Sequence, residues 1–288
     1  MRVHFACSPS NQYVKMLSEE SVKNVLFSYH FIKDPEKLYK MFDGWEPENV
    51  ILDSGAFSVW SNNGYIDIDK YAQFCTEFRR IVPSHIRVYV VNLDVLPGKF
   101  GICPTQAQRE DSAKRGWENM LYLESKGLKV IHVYHQHEDI KWLEMMRNHM
   151  DYIGISPAND VGMGEKLEFL RETFLHIKDT IRTHGFAVTS DKQLYQFPFF
   201  SVDSSSWTAP ARFGRIPIFR DDYTMGTVSY KDEKGVKANW DYLSSVGIDK
   251  MNSDDYTHRV KMGIRCYQKL EKVATRLWDN RGIKYKQD

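Results

Sequence analysis

Eight short apolar runs, rich in β-branched and aromatic residues, occur before position 205, centred on 2–6, 24–29, 49–53, 86–92, 129–134, 151–155, 183–188 and 199–203. Segments of helical periodicity separate most of them, clearest at 34–43, 67–81, 105–126, 138–148 and 165–181. Thr105 and Gly127 have the chemistry of a cap and a stop for the third of these helices. Eight strand-helix alternations in one chain predict an α/β fold, a (β/α)8 TIM-like barrel. The first and seventh connections are short for full helices, so the barrel is expected to be somewhat distorted. A doubly wound open sheet is the competing architecture, but no GxGxxG or Walker sequence supports it.

After Asp203 the pattern changes. Gly214-Arg-Ile-Pro-Ile-Phe-Arg220 and Gly226-Thr-Val-Ser-Tyr230 predict a small β or irregular insertion, and a helix closes the chain. The expected division is a barrel core over 1–210 and a small C-terminal extension over 211–288, packed on the barrel. No internal repeat or low-complexity tract interrupts it. A chain of 288 residues with 42% hydrophobic and 27% charged residues has the balance of a soluble globular protein. No apolar run approaches the roughly 18 to 20 residues that span a bilayer. The first residues, Met1-Arg-Val-His-Phe-Ala-Cys7, lack the longer apolar core and cleavage site of a signal peptide and fit a first strand, which predicts a cytoplasmic protein. Cys7, Cys75, Cys103 and Cys266 are too scattered for a zinc cluster or a disulfide framework, so free thiols are expected.

A barrel gathers the C-terminal ends of its strands around one mouth. Here those ends are mostly polar: Tyr29-His30, Asp53-Ser54, Asn92 and Asp94, His135-Gln136, Ser156, Thr189-Ser190 and Asp203-Ser204. Among them Asp53 and Asp203 have matching settings, each closing an apolar run and followed by small residues. A carboxylate there stays reachable while the strand holds its backbone still. A strand-end Asp also caps helices and starts turns, but two in the same setting make the better catalytic pair.

The segment Asp53-Ser-Gly-Ala-Phe57 resembles the Asp-Ser-Gly-Gly-Phe signature of the tRNA-guanine transglycosylase superfamily, and later segments follow that family's order from about residue 24 to 207. Val91-Asn-Leu-Asp94 lies where the family has a base-recognising Asp, His132-Val-Tyr-His-Gln136 where it has a Gln-bearing strand end, and Tyr152-Ile-Gly154 where it has a Gly-rich one. His184-Gly-Phe-Ala-Val-Thr189 and Phe200-Ser-Val-Asp203 look like the segments leading to its nucleophile. Two departures bear on substrate. The cysteine cluster of the family's C-terminal zinc site is missing, and Ser204-Ser-Ser-Trp207 replaces the Pro-Thr-Arg after the nucleophile. Both changes lie where a polynucleotide would be held. The zinc-less version is most similar to the DNA-guanine transglycosylases of the DpdA type, found in phage and bacteria.

The resemblance implies exchange of guanine in DNA for a 7-deazaguanine base such as 7-cyano-7-deazaguanine, without metal or organic cofactor, in bacterial or phage-infected host cytosol. Breaking a C1′–N9 bond through an oxocarbenium-like state suits a carboxylate that traps the sugar and a second that moves a proton. Asp203 takes the first role and Asp53 the second. Ser54, Gly55, Phe57, Asp94, Gln136, Gly154 and Phe186 are the expected base-binding residues. Phe57 and Phe186 would supply stacking faces, Asp94 would accept from N1–H and the exocyclic amine, and the Gly154 backbone would add contacts. The rivals are the same reaction on tRNA, a hydrolase releasing a base or sugar, and a non-catalytic nucleic-acid-binding subunit. A protein partner or a homodimer remains compatible with the sequence.

The net charge of +1 carries no global sign of nucleic-acid binding. Local clusters do: Arg212, Arg215 and Arg220 interleave with Trp207, Phe213 and Phe219, a composition that grips phosphates and stacks on bases. From Arg259 to Asp288 nine Lys or Arg face three acids. There Val260, Ile264, Tyr267, Ala274 and Leu277 form one helical stripe, and Arg265, Lys269, Lys272 and Arg276 line another face. Such a face also serves as the solvated side of a packing helix. His132, His135 and His137 lack a carboxylate or thiolate spaced to complete a metal site, so no metal is expected.

Overall fold

The computed structural model describes residues 1–177, 181–246 and 254–284. Strands β1 (Arg2–Ala6), β2 (Asn24–Ser28), β3 (Asn49–Asp53), β4 (Arg87–Val91), β5 (Val130–His135), β6 (Tyr152–Ser156), β7 (Arg182–Gly185) and β8 (Ser201–Ser204) pair in parallel in chain order. β8 returns to β1, with His4 opposite Asp203, and closes the barrel. Helices α1 (Asn11–Glu19), α2 (Pro35–Lys40), α3 (Ala56–Ser61), α4 (Ile68–Ile81), α5 (Gln106–Ser125), α6 (Ile140–His149), α7 (Met163–Ile177) and α8 (Asp191–Gln196) fill the connections. The fold is thus the (β/α)8 barrel that the alternation predicts.

Its departures from an ideal barrel are local. The first connection holds a nine-residue helix, α1, whose start is fixed by the Ser10 side chain accepting from the Tyr13 N–H. Only Val14, Met16 and Leu17 of it are buried, too short a stripe to stand out as a helix in sequence. In the seventh connection α8 has six residues. The apolar run at 183–188 is a strand only to Gly185. Phe186 still projects inward, but Ala187 takes a positive φ of 53° and turns the chain away.

The period of two along each strand separates two cores. Val50 and Leu52 of β3 and Val202 of β8 point outward into the layer shared with the helices. Leu26, Ile51, Tyr89, Ile131, Val133 and Tyr152 point into the barrel. Asp53 is two residues beyond Ile51 and Asp203 two beyond Ser201, so both carboxylates occupy the inward, mouth-facing layer. Farther down, the Arg2 and Arg182 guanidinium groups lie over the Phe200 ring at 4.7 and 5.5 Å and close the opposite end.

Beyond β8 come α9 (Ala209–Arg212), an antiparallel hairpin of β9 (Arg215–Phe219) and β10 (Met225–Ser229), α10 (Glu233–Ala238), α11 (Trp240–Ser245) and α12 (Tyr256–Asn280). α12 runs down the barrel wall beside β1. The Asp255 side chain caps its start, and near its end Glu271 accepts from the Val3 N–H at 2.7 Å while Thr275 receives the Met1 amino group. Val260, Ile264, Tyr267 and Ala274 are buried, joined by Leu270 and Trp278, while Leu277 is only partly covered. Gly263 is where the helix meets the β8–α9 corner most closely, because a Cβ there would lie 2.0 Å from the Trp207 carbonyl oxygen. Backbone cannot step aside as a side chain does. Gly263→Ala is expected to lower stability by about 1–3 kcal/mol, read as a lower thermal midpoint; an unchanged midpoint would show that helix and corner are not tightly joined.

Candidate active site

The strand ends surround a cleft of about 1250 Å³. Asp53, Asp94, Gln136, Phe186 and Asp203 line it, with Phe57 and Arg212 at the rim. These residues come from β3, the turns after β4, β5 and β7, from β8, and from helices α3 and α9, which is why only closure of the barrel assembles them.

Asp53 sits at the end of β3, where its Oδ2 accepts the Gly55 N–H at 3.0 Å. Gly55 has a φ of 79°, and a Cβ on it would meet the His30 Cβ at 2.4 Å, so the glycine of this motif is required by the turn that holds Asp53. Burial raises the Asp53 carboxyl to about 6, with the charges of Asp203 and Asp94 adding to the effect and the Ser28 hydroxyl, then the Gly55 N–H, opposing it. Ser54 is buried, donating to the Asn92 carbonyl at 3.0 Å, and thereby ties β3 to the end of β4.

Asp203 has a different environment. Its Oδ1 accepts the Ala187 N–H at 3.1 Å, and the His184 Nε2 lies 3.4 Å from the same oxygen. The fully buried His184 ring is in turn 2.6 Å through Nδ1 from the Ser201 hydroxyl, which meets the Tyr152 hydroxyl at 2.5 Å. With the proton on Nε2, His184 accepts from Ser201 through Nδ1 and turns its N–H toward Asp203, close to the carboxylate but without a formed hydrogen bond. Sequence reading missed this line. The signal was the period of two: Ser201 and Asp203 share a face, and β7 places His184 opposite Ser201.

Asp94 is also held. Its Oδ2 is 3.2 Å from His135 Nε2, and its Oδ1 accepts weakly from the Asn92 amide at 3.4 Å. Burial alone would lower the His135 imidazole, but attraction and bonding to Asp94, with Glu138 adding to them, raise it to about 9. The Glu138 carboxyl, which accepts the His135 N–H, is pushed by burial to about 7. Beside the His135 imidazole, Asp94 turns its remaining lone pairs to the cleft.

The other expected base contacts differ in placement. Phe57 is 47% exposed and forms an aromatic group with Trp60 and Phe100. Gln136 uses its side-chain carbonyl to accept from the Ala158 N–H, leaving its amide group to the cleft. Gly154 is a layer below the mouth, not on the cleft surface. A Cβ there would meet the Phe186 ring at 2.6 Å, so its role is to seat that ring.

The seven cations expected to grip nucleic acid do not converge; Arg220 donates to the Thr224 hydroxyl and the Met225 carbonyl in its own hairpin. Arg212 reaches the cleft. Arg215 is bound to Thr227 on the neighbouring strand, and Arg265 makes a two-pronged pair with Glu20 at 2.8 Å for each bond. Lys269 lies over the Phe219 and Tyr242 rings. Lys272 and Arg276 are exposed, but on the part of α12 that meets the start of β1, away from the mouth. The last four residues of the basic stretch lie outside the described residues.

The histidines do not form a group either. The strand ends at His135, and His137 turns away with a φ of 79°. His132 faces outward, its Nδ1 3.0 Å from the Asn92 amide, and burial lowers it to about 4. Among the described residues no three His, Cys, Asp or Glu are placed to hold a metal ion. None of the described helices is long and apolar enough to cross a membrane.

No family model matches the sequence. No curated protein matches it either. Similar solved structures include the tryptophan synthase alpha chain of Legionella pneumophila, with 10% identity, a TM-score of 0.47, and 92% of this chain and 91% of that one covered. Another is a putative fructose-1,6-biphosphate aldolase from Coccidioides immitis, with 7% identity, a TM-score of 0.46, and coverage of 96% and 92%.

Proposed function

We propose that this protein is a base-exchanging glycosyltransferase that replaces guanine in DNA with a 7-deazaguanine base through a covalent aspartyl-deoxyribosyl intermediate. The observation that carries the reading is a pair of strand-end carboxylates facing one cleft in unlike environments, with the Asp53 carboxyl raised to about 6. Unlike environments divide proton transfer from nucleophilic attack. Asp203 attacks C1′ from below the sugar as the C1′–N9 electron pair leaves with the base. Asp53 gives that base its proton and recovers one from the incoming base. The Ala187 N–H holds Asp203 for the attack, with the His184 ring packed beside the same oxygen.

A purine would stack on Phe57 or Phe186 while Asp94 accepts from its N1–H and exocyclic amine. Asp94→Ala is expected to weaken binding of the free deazaguanine base by about ten- to a hundredfold and to leave nucleic-acid binding nearly unchanged. A titration with equal base affinity in both proteins would make Asp94 a support for His135 alone.

The deciding experiment offers labelled 7-cyano-7-deazaguanine with duplex DNA or with tRNA. Label entering DNA supports the proposal, and label entering only tRNA moves the same chemistry to the rival substrate. Release of guanine without incorporation identifies a hydrolase. No reaction with either polymer, despite binding to it, identifies a binding subunit.

A further inference from the structure

Beside the main cleft, behind the Phe186–Ala187 wall, lies a second pocket of about 310 Å³. It is framed by the ends of β6, β7 and β8, and Pro157, Asn159, Phe186 and Ala187 line both spaces. Its polar side consists of Lys166, Gln193, Ser190, Thr189 and Ser206, and no carboxylate lines it. Lys166, on α7, is half-buried and has no ion pair among the described residues. Gln193 is buried; its side-chain carbonyl accepts from the Ser190 hydroxyl at 2.8 Å, so its amide group is the end left to donate. The wall facing Asp203 is the segment whose Ala187 N–H binds that carboxylate.

A partly desolvated cation among neutral donors, in a lining that holds no carboxylate, favours an anion, and a phosphoryl group accepts from several donors at once. The apolar side, Met163, Phe186 and Tyr267, suits the carbon skeleton of an attached sugar. We propose that this pocket binds a sugar-phosphate unit, and specifically the phosphodiester flanking the nucleotide that reacts at Asp203. The assignment to a polymer rests on the function proposed above; the preference for phosphate does not. Extruding a nucleotide from a helix bends its backbone sharply, and a grip on the adjoining phosphate holds C1′ against the nucleophile.

The test compares the wild-type protein with Lys166→Gln, and with Lys114→Gln as an equal change of charge on the exposed face of α5. Binding of a short guanine-containing DNA duplex, of inorganic phosphate and of the free deazaguanine base is titrated at several salt concentrations. Lys166→Gln is expected to weaken duplex binding about five- to tenfold and to lower the salt slope by about one, leaving base affinity unchanged. Lys114→Gln should do neither. If the wild type binds no duplex but binds phosphate, and only Lys166→Gln weakens this, the pocket holds phosphate and the polymer assignment fails. If Lys166→Gln leaves both duplex and phosphate affinity equal to the wild type, or matches Lys114→Gln, the phosphate assignment is overturned whatever the enzyme's reaction. Absence of binding of either probe to the wild type overturns it as well.

Discussion

Asp203→Asn is expected to abolish base exchange, by a factor on the order of 10⁴ or more, while the barrel stays folded. An amide still accepts the Ala187 N–H and lies near His184, so the loop contacts survive, but it cannot form the ester to C1′ that retains the sugar. Wild-type protein should form a denaturation-resistant adduct with DNA when the incoming base is withheld, and the variant should not. Turnover within tenfold of wild type, at an unchanged thermal midpoint, would remove Asp203 from the nucleophile's role. It would also leave the line through His184, Ser201 and Tyr152 as a piece of barrel packing.

The second large effect is in pH. With the Asp53 carboxyl raised from 3.8 to about 6, adduct formation, which needs its proton on the departing guanine, should be level below pH 6 and fall about tenfold per unit above it. Asp53→Asn should slow that step by a factor on the order of 10²–10⁴ and erase the limb near pH 6. Stability has its own sign. A carboxyl raised in the folded state is protonated in both states below about 3.8, begins to oppose folding as pH rises past that value, and opposes it fully above about 6. The variant should therefore be more stable than wild type at pH 8 and gain nothing from this group at pH 3. A wild-type profile flat between pH 5 and 8, or a variant that keeps the limb, would assign the proton transfer to another group.

The barrel was legible because its information is local: apolar runs and helical stripes repeat along the chain, and eight of them leave few architectures. Asp53 and Asp203 were legible for the same reason, each advertised by its own strand end. What could not be read was the pairing of residues that meet only across the barrel. Asp94 and His135 are brought together by adjacent strands, whereas the sequence placed them only as two separate polar strand ends. Gly154 stood out as a strand-end glycine, yet its position in the pleat puts it beneath Phe186, where smallness is needed for packing. The basic stripe on α12 followed from helical spacing, but spacing says nothing of what the stripe faces. Glu20 and the Phe219 and Tyr242 rings occupy part of it, and its distal end points away from the mouth.

The tight meeting of Gly263 with the Trp207 carbonyl has a consequence for the order in which the protein becomes active during synthesis. Asp203 is carried on the strand that closes the barrel, and the corner following it rests on a helix made more than fifty positions later in the chain. A growing chain on the ribosome can fold its early strands, since domains form from the N-terminal side as they emerge. It cannot fix Asp203 until that helix has been released. Under the reaction proposed above, the carboxylate pair would therefore stay unassembled on the nascent chain until translation has passed α12.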